Sequence, residues 1–203
     1  MARTRNEKAF KDTRSKLLNV GLNLIRSGSY ESVGINEVLR TSGAPKGSFY
    51  HYFKSKEDFG LEVAKFYHAE QLESARVILG HSDRPALQRL HDFFQTAFDD
   101  FAKREFTQGC LMCNLSTELA DEQPAFQNLL KGHWQALGEE IAACIADLDK
   151  SDIGLEHLSD AEAGDWLLNS WSGALTRMKA AGNGEPLHLF LKTTFKKGSL
   201  GNV

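Results

Sequence analysis

Apolar positions recur along this chain at intervals of three and four residues, and no run of strand length alternates apolar with polar. The pattern predicts an all-α protein. Phe10, Leu17, Leu18, Gly21, Leu24 and Ile25 share one stripe of a first helix over 6–27, which Gly28 closes. A short second helix over 35–42 buries Val38 and Leu39 and breaks at Gly43-Ala44. Pro45, with its preset φ and missing N–H, suits the first turn of a short third helix over 46–53. Ser55 is placed to cap a long fourth helix over 56–79, with Asp58 in its first turn. Amphipathic helices follow over 84–104, 110–121, 124–148, 159–181 and 185–197. Turn-forming residues separate them: Thr107-Gln108-Gly109, Asp121 with Pro124, the polar stretch 147–159, and Gly182-Asn183-Gly184-Glu185-Pro186.

A length of 203 residues leaves room for one small and one medium domain, divided here as 1–58 and 59–203. With 41% hydrophobic and 25% charged residues the chain is ordinary for a globular protein. Its net charge of −3 conceals a segregation. Residues 1–65 carry 12 Lys and Arg against 7 Asp and Glu, whereas residues 66–203 carry 12 against 20. A basic module joined to an acidic one suits a protein that meets phosphate at one end only. No apolar run approaches the roughly 20 residues that span a bilayer, and the polar, basic start lacks an apolar segment behind it. A cytoplasmic protein without a membrane partner is expected, with no cofactor or metal.

Two short helices around a Gly-containing turn, the second opened by Pro45-Lys46-Gly47 and dense in aromatic and basic residues, form a helix-turn-helix pattern. Gly47 lets backbone approach a phosphate, and Lys46, Ser48, Tyr50, His51, Lys54 and Lys56 supply donors. Phe49 and Phe53 read instead as packing residues. The segment from Gly34-Ile35-Asn36-Glu37-Val38-Leu39 through Gly43-Ala44-Pro45-Lys46-Gly47-Ser48-Phe49-Tyr50-His51-Tyr52-Phe53-Lys54-Ser55-Lys56-Glu57 resembles the signature of tetracycline-repressor-type regulators. That resemblance implies an N-terminal DNA-binding domain, a C-terminal helical bundle for ligand and dimerisation, and a homodimer on double-stranded operator DNA. It further implies contacts by Lys46 and Ser48 at the start of the recognition helix, Tyr50 and His51 facing DNA, Lys56 on a phosphate, and Asn36 and Thr41 beside them. Gly109-Cys110-Leu111, Leu115-Ser116, Glu118-Leu119 and Trp171-Ser172-Gly173-Ala174 are most similar to the regulators of N-ethylmaleimide-type reductases.

Cys110 and Cys113 stand as Cys-x-x-Cys, a spacing shared by dithiol redox enzymes and half zinc sites. The βαβ frame of the first and the remaining ligands of the second are missing. Cys110, placed after Gly109 at a predicted helix start, could instead be a thiolate that reacts with an electrophile or oxidant, with Cys113 a second candidate for sensing and Lys179 near if the fold permits. All three cysteines, Cys144 included, also read as small buried apolar residues. Trp134, Trp166, Trp171, Phe93, Phe94, Phe98 and Phe101 could line a cavity, although helical spacing favours core. His133 fits either a ligand contact or an exposed position. The expected activity is transcriptional repression relieved by a small molecule or electrophile, without enzymatic turnover. A dithiol redox enzyme and a helical interaction module without DNA binding are the alternatives.

Overall fold

The computed structural model of the chain describes residues 2–195, with side chains from Phe10 onward. The side chains of Arg3, Arg5 and Lys8, which belong to the basic start noted above, and the predicted end of the last helix at 196–197 lie outside that description. The described residues form nine α-helices and one 3-10 turn, with no strand among them. In order these are α1 (Ala2–Ser27), α2 (Ile35–Ser42), α3 (Phe49–Tyr52), α4 (Lys56–Leu79), α5 (Ala86–Lys103), α6 (Leu111–Leu119) and α7 (Pro124–Ile145). The 3-10 turn Lys150–Ile153, α8 (Asp160–Ala181) and α9 (Glu185–Thr194) complete the chain.

Helix α1 buries Leu17, Leu18, Leu22 and Ile25, and it crosses α4 at Gly21, where a Cβ would stand 2.3 Å from Phe59 Cζ. Phe10, expected on the buried stripe, is 43% exposed, and its ring meets Tyr52 at a centroid distance of 4.5 Å. Helix α2 ends at Gly43, whose φ of 67° is left-handed. The Gly43 N–H reaches Arg40 O and the Ala44 N–H reaches Leu39 O, the paired bonds that satisfy a helix's last carbonyls.

The third helix begins later than its sequence suggests. Pro45 O accepts from both the N–H and the hydroxyl of Ser48, at 2.9 and 2.7 Å, so residues 45–48 close as a turn and helix starts at Phe49. Pro45 stands at the first position of that turn, ahead of its central residues Lys46 and Gly47, so its rigid φ does not decide between turn and helix. Ser55 Oγ then accepts from Asp58 N at 3.0 Å, Asp58 accepts from Lys54 N at 2.8 Å, and α4 starts where its cap places it.

Helix α4 packs against α1 on one side and against α5 and α7 on the other, so it continues from the small N-terminal unit into the bundle. Phe94 of α5 lies at the bundle's centre, with ring centroids of Trp171 and Phe190 at 5.3 and 4.9 Å. Between α5 and α6, Glu105 and Phe106 hold left-handed φ values of 54° and 55°. Such conformations cost non-glycine residues about 1–3 kcal/mol each. The sharp turn that they make carries Gly109 against α1, where its N–H meets Arg26 O at 3.3 Å. Among the described residues no helix is long and apolar enough to cross a membrane.

Candidate nucleic-acid interface and internal cavity

The turn and α3 are held from behind by aromatic packing. Phe49 and Phe53 are fully buried, and the Phe49 ring lies 5.3 Å from both Phe53 and Phe59. This anchoring leaves Tyr50 69% exposed. Asn36, Thr41, Lys46, Gly47, His51 and Lys54 are exposed with it, and Ser48 is half-buried. A Cβ on Gly47 would meet nothing within 4 Å, so the protein's own packing does not require glycine there. With only four residues, α3 supplies little dipole; the donors of this surface are side chains and turn N–H groups. Lys56 is the exception to the outward pattern. Its ammonium donates to Glu31 O at 2.9 Å and lies 4.8 Å from the centre of the Tyr30 ring.

Behind this unit a cavity of about 380 Å³ opens between α1, α4, α5, α6, α7 and α8. Arg26, Tyr67, Gln71, Arg104 and Cys110 furnish polar groups in its wall, while Phe93, Phe101, Trp134 and Trp171 make much of the apolar part. Four of the aromatic residues that helical spacing assigned to core thus line a space. Phe94 is core, Phe98 packs on Phe106 at 5.7 Å, and Trp166 is 45% exposed.

Cys110, the predicted helix start, sits at the N-cap of α6, one residue before the helix begins at Leu111, and is buried. Tyr67 Oη donates to its sulfur at 3.7 Å, and Gln71 Nε2 donates to the same hydroxyl at 2.8 Å. The Cys113 thiol, the Cys113 N–H, Tyr67 and the Met112 N–H all favour the Cys110 thiolate and outweigh burial, so its pKa falls below the ordinary thiol value. Cys113 moves the opposite way, because its proton is the one held in that bond and burial adds to the rise. Burial and the neighbouring Cys110 raise Tyr67 as well. Cys144, near the end of α7, contacts Ala86 O at 3.6 Å and is raised by burial. Lys179 does reach this end of α6, but its ammonium is directed at Asn114 Oδ1, 3.4 Å away.

Helix α6 is fixed to the N-terminal unit at both ends. At its start Arg26 Nε donates to Gly109 O at 3.0 Å. Towards its end the Glu118 carboxylate accepts from the Tyr30 and Glu31 N–H groups at 2.9 and 2.7 Å. Tyr30 is the residue on which Lys56 lies, and burial with Glu31, Glu57 and Glu118 nearby pushes its hydroxyl up to about 12. His133, left open by the sequence, is buried and stacked on His68 with ring centroids 3.8 Å apart. Burial, His68 and Lys65 push His133 down to about 4.

Sequence reasoning singled out the cysteines but missed Arg26, Tyr67, Gln71 and the Glu118 contact. Arg26 left a trace: it follows Leu18 and Leu22 at intervals of four, a charge on an apolar stripe.

Comparisons with known proteins agree with this geometry. The family profile described as bacterial regulatory proteins, tetR family, matches residues 17–63, and that described as tetracyclin repressor-like, C-terminal domain, matches residues 86–194. The transcriptional regulator AcuR of Cereibacter sphaeroides is 36% identical over 187 residues, covering 87% of this chain and 81% of that protein. The solved regulatory protein TetR from Rhodobacter sphaeroides is similar with a TM-score of 0.82 and 28% identity, covering 89% of this chain and 95% of that one. The reduced form of Escherichia coli NemR gives 0.80 and 25%, covering 90% and 95%.

Proposed function

The chain belongs to the tetracycline-repressor family and is a DNA-binding transcriptional regulator, and from that premise we propose a homodimeric repressor released from operator DNA through its cavity. The release is driven by a small molecule bound there or by an electrophile that alkylates Cys110. In this reading residues 1–58 bind DNA and residues 59–203 sense and dimerise. Tyr50 and His51 face the bases, and Lys46, Gly47, Ser48, Lys54, Asn36 and Thr41 contribute base and phosphate contacts. Lys56 turns from Glu31 O to a phosphate. Trp166 and Leu189, 45% and 54% exposed on α8 and α9, supply apolar surface for a two-fold contact. Such a dimer sets two recognition helices about 34 Å apart, or somewhat farther, in successive major grooves. A monomer by light scattering at micromolar concentration would contradict it.

One observation carries the sensing part: α6 joins the cavity's thiol to the backbone beside Lys56 within nine helical residues. The Cys110 thiolate adds to the double bond of N-ethylmaleimide. A sulfur–carbon bond forms, the π electron pair moves to the adjacent carbon, and that carbon takes a proton from water. The added volume displaces the start of α6 and draws Glu118 away from Tyr30 and Glu31. Asn114, held by Lys179 and next to Gly109, belongs to the same end of the lever, and Cys113 moves with it. Coupling of about 1–3 kcal/mol lowers operator affinity roughly 5- to 150-fold. The similarity to NemR, solved in a reduced form, supports a thiol-dependent state. The relatives named above are regulators, and no strand frames the Cys-x-x-Cys among the described residues, so a dithiol enzyme gains no support.

The experiment is a mobility shift on duplex DNA from upstream of this protein's own gene, using wild type, Cys110→Ser and Cys113→Ser with and without N-ethylmaleimide. Wild type and Cys113→Ser should lose the duplex on treatment, and Cys110→Ser should keep it. Equal release of Cys110→Ser and wild type refutes the thiol route.

A further inference from the structure

The wall of the cavity carries a guanidinium that forms no ion pair with any described carboxylate. Arg26, in the last turn of α1, is 5% exposed. Its Nε is engaged by Gly109 O, and its guanidinium lies 5.4 and 5.7 Å from the ring centres of Tyr67 and Phe101. Its Nη2 is buried without a hydrogen-bond partner. Arg89, the other buried arginine, also keeps an unpartnered Nε, but its charge is paired: it donates to Leu79 O and meets Asp147 at 2.7 Å. A guanidinium cannot shed its proton to escape burial, so an unpaired one in a cavity wall favours a bound anion. A second donor points the same way. Arg104, also in the wall, pairs with Asp100 through Nη2 and keeps a buried, unpartnered Nε.

We propose that the cavity is a receptor for a small monocarboxylic acid, its carboxylate held by Arg26 Nη2 and its apolar body lying against Phe93, Trp134, Trp171 and Leu175. One negative charge fits the site and two do not. Glu70 and Asp100 also line the cavity, so a phosphate's second charge would meet carboxylates rather than free donors. The apolar wall requires a body of hydrocarbon, and a volume of about 380 Å³ lies at the small end of ligand sites. Arg26 is also the residue that ties α1 to the carbonyl before Cys110. A carboxylate on Arg26 therefore acts on the same joint as a thiol adduct. This inference names the ligand class of the effector cavity and rests on that reading only for its effect on DNA.

Binding is measured on the full-length protein without DNA. Thermal unfolding and the fluorescence of Trp134 and Trp171 are followed while benzoate or butanoate, and separately benzamide or butanamide, is added at constant ionic strength. At least one acid should bind about tenfold or more tightly than its amide, the advantage of charge-assisted hydrogen bonds over neutral ones. Arg26→Gln should erase the preference; Arg26→Lys, which retains the charge, should retain part of it. Should Arg26→Gln fail to fold by circular dichroism, the acid-over-amide ratio of wild type and of Arg26→Lys still decides. An amide that binds as tightly as its acid, no binding by either acid, or a folded Arg26→Gln protein with the preference intact overturns the proposal. Acid binding with no operator release by either the acid or N-ethylmaleimide would refute the repressor-release reading and leave this site standing. Release by N-ethylmaleimide with no acid binding would do the reverse.

Discussion

Replacing Glu118 with Ala removes a carboxylate that accepts from two backbone N–H groups, those of Tyr30 at 2.9 Å and Glu31 at 2.7 Å. Hydrogen bonds to charged groups are worth about 1.5–3 kcal/mol when sheltered. The two here are not equal. Glu31 is exposed, so its N–H regains water after truncation, whereas Tyr30 is 4% exposed and its N–H does so less easily. A loss of about 2 kcal/mol follows from discounting the first bond to roughly 0.5 and the second to roughly 1.5. In a protein of this size that lowers the Tm by about 4–8 °C, and the urea midpoint should fall while the slope stays unchanged. Glu118→Gln, which keeps an acceptor but not the charge, should lose about half as much. The functional effect separates a route from a mere brace. With the tie between α6 and the Tyr30 backbone cut, N-ethylmaleimide should change operator affinity by less than about twofold, measured by fluorescence anisotropy on the duplex. A Glu118→Ala protein that is destabilised as expected yet loses DNA on alkylation as fully as wild type would show that the signal travels elsewhere.

Tyr50→Ala should weaken operator binding by about 1–3 kcal/mol with no change in Tm, because this exposed ring contributes little to packing; a titration by anisotropy beside circular dichroism checks both. Phe94→Ala should cost about 3–5 kcal/mol in urea unfolding, since the ring is fully buried among Trp171, Phe190 and Phe195. Gly43→Ala should cost about 1–2 kcal/mol through its φ of 67° alone, and a loss under about 0.3 kcal/mol would mean that the turn relaxes. Acid should weaken the fold through His133. His133 is held neutral in the folded protein at about 4, while the unfolded chain takes up its proton near pH 6.5. Stability from this group is therefore complete above about pH 6.5 and declines as pH falls towards 4, by about 3 kcal/mol in all. His133→Phe should flatten that decline in unfolding measured between pH 4 and 7, and an undiminished slope would assign the acid sensitivity to other groups.

The elements that sequence periodicity placed well are those whose ends are decided locally. Ile35–Ser42 and Lys56–Leu79 have the same bounds in sequence and structure, because Gly43 and Ser55 with Asp58 settle those ends within a few residues. Pro45 misled for a local reason too: it stands ahead of the turn's two central residues, where its rigid φ selects neither turn nor helix, and the choice was made by Pro45 O, which takes two donors from Ser48. The exposed candidate DNA contacts were legible as a class, since Phe49 and Phe53 account for the buried side and leave their neighbours outward. Lys56 was not, because its present partners, Tyr30 and the Glu31 carbonyl, lie within the α1–α2 connection, 25 residues or more back in the chain.

The interior chemistry is a different matter, because it is assembled from residues far apart in the chain. Gly109-Cys110 announced a helix start, and the Cys113 and Met112 N–H groups there do favour the thiolate, but the largest support comes from the Cys113 thiol and a further part from Tyr67, 43 residues back. The predicted ammonium is elsewhere, on Asn114. Nothing periodic encodes such a meeting. Trp134 and Trp171 show the same limit from the apolar side, since helical spacing says that a face is turned inward but not whether the space it meets is filled. What can be read is a violation of pattern. Leu18, Leu22 and Arg26 follow one another at intervals of four along α1, so a guanidinium occupies the place where the stripe calls for an aliphatic side chain. Burying that charge without a carboxylate works against stability, and neither its hydrogen bond to Gly109 O nor the rings of Tyr67 and Phe101 cancels it. An interruption of that kind at the wall of a cavity is the strongest functional signal that this chain carries outside its helix-turn-helix.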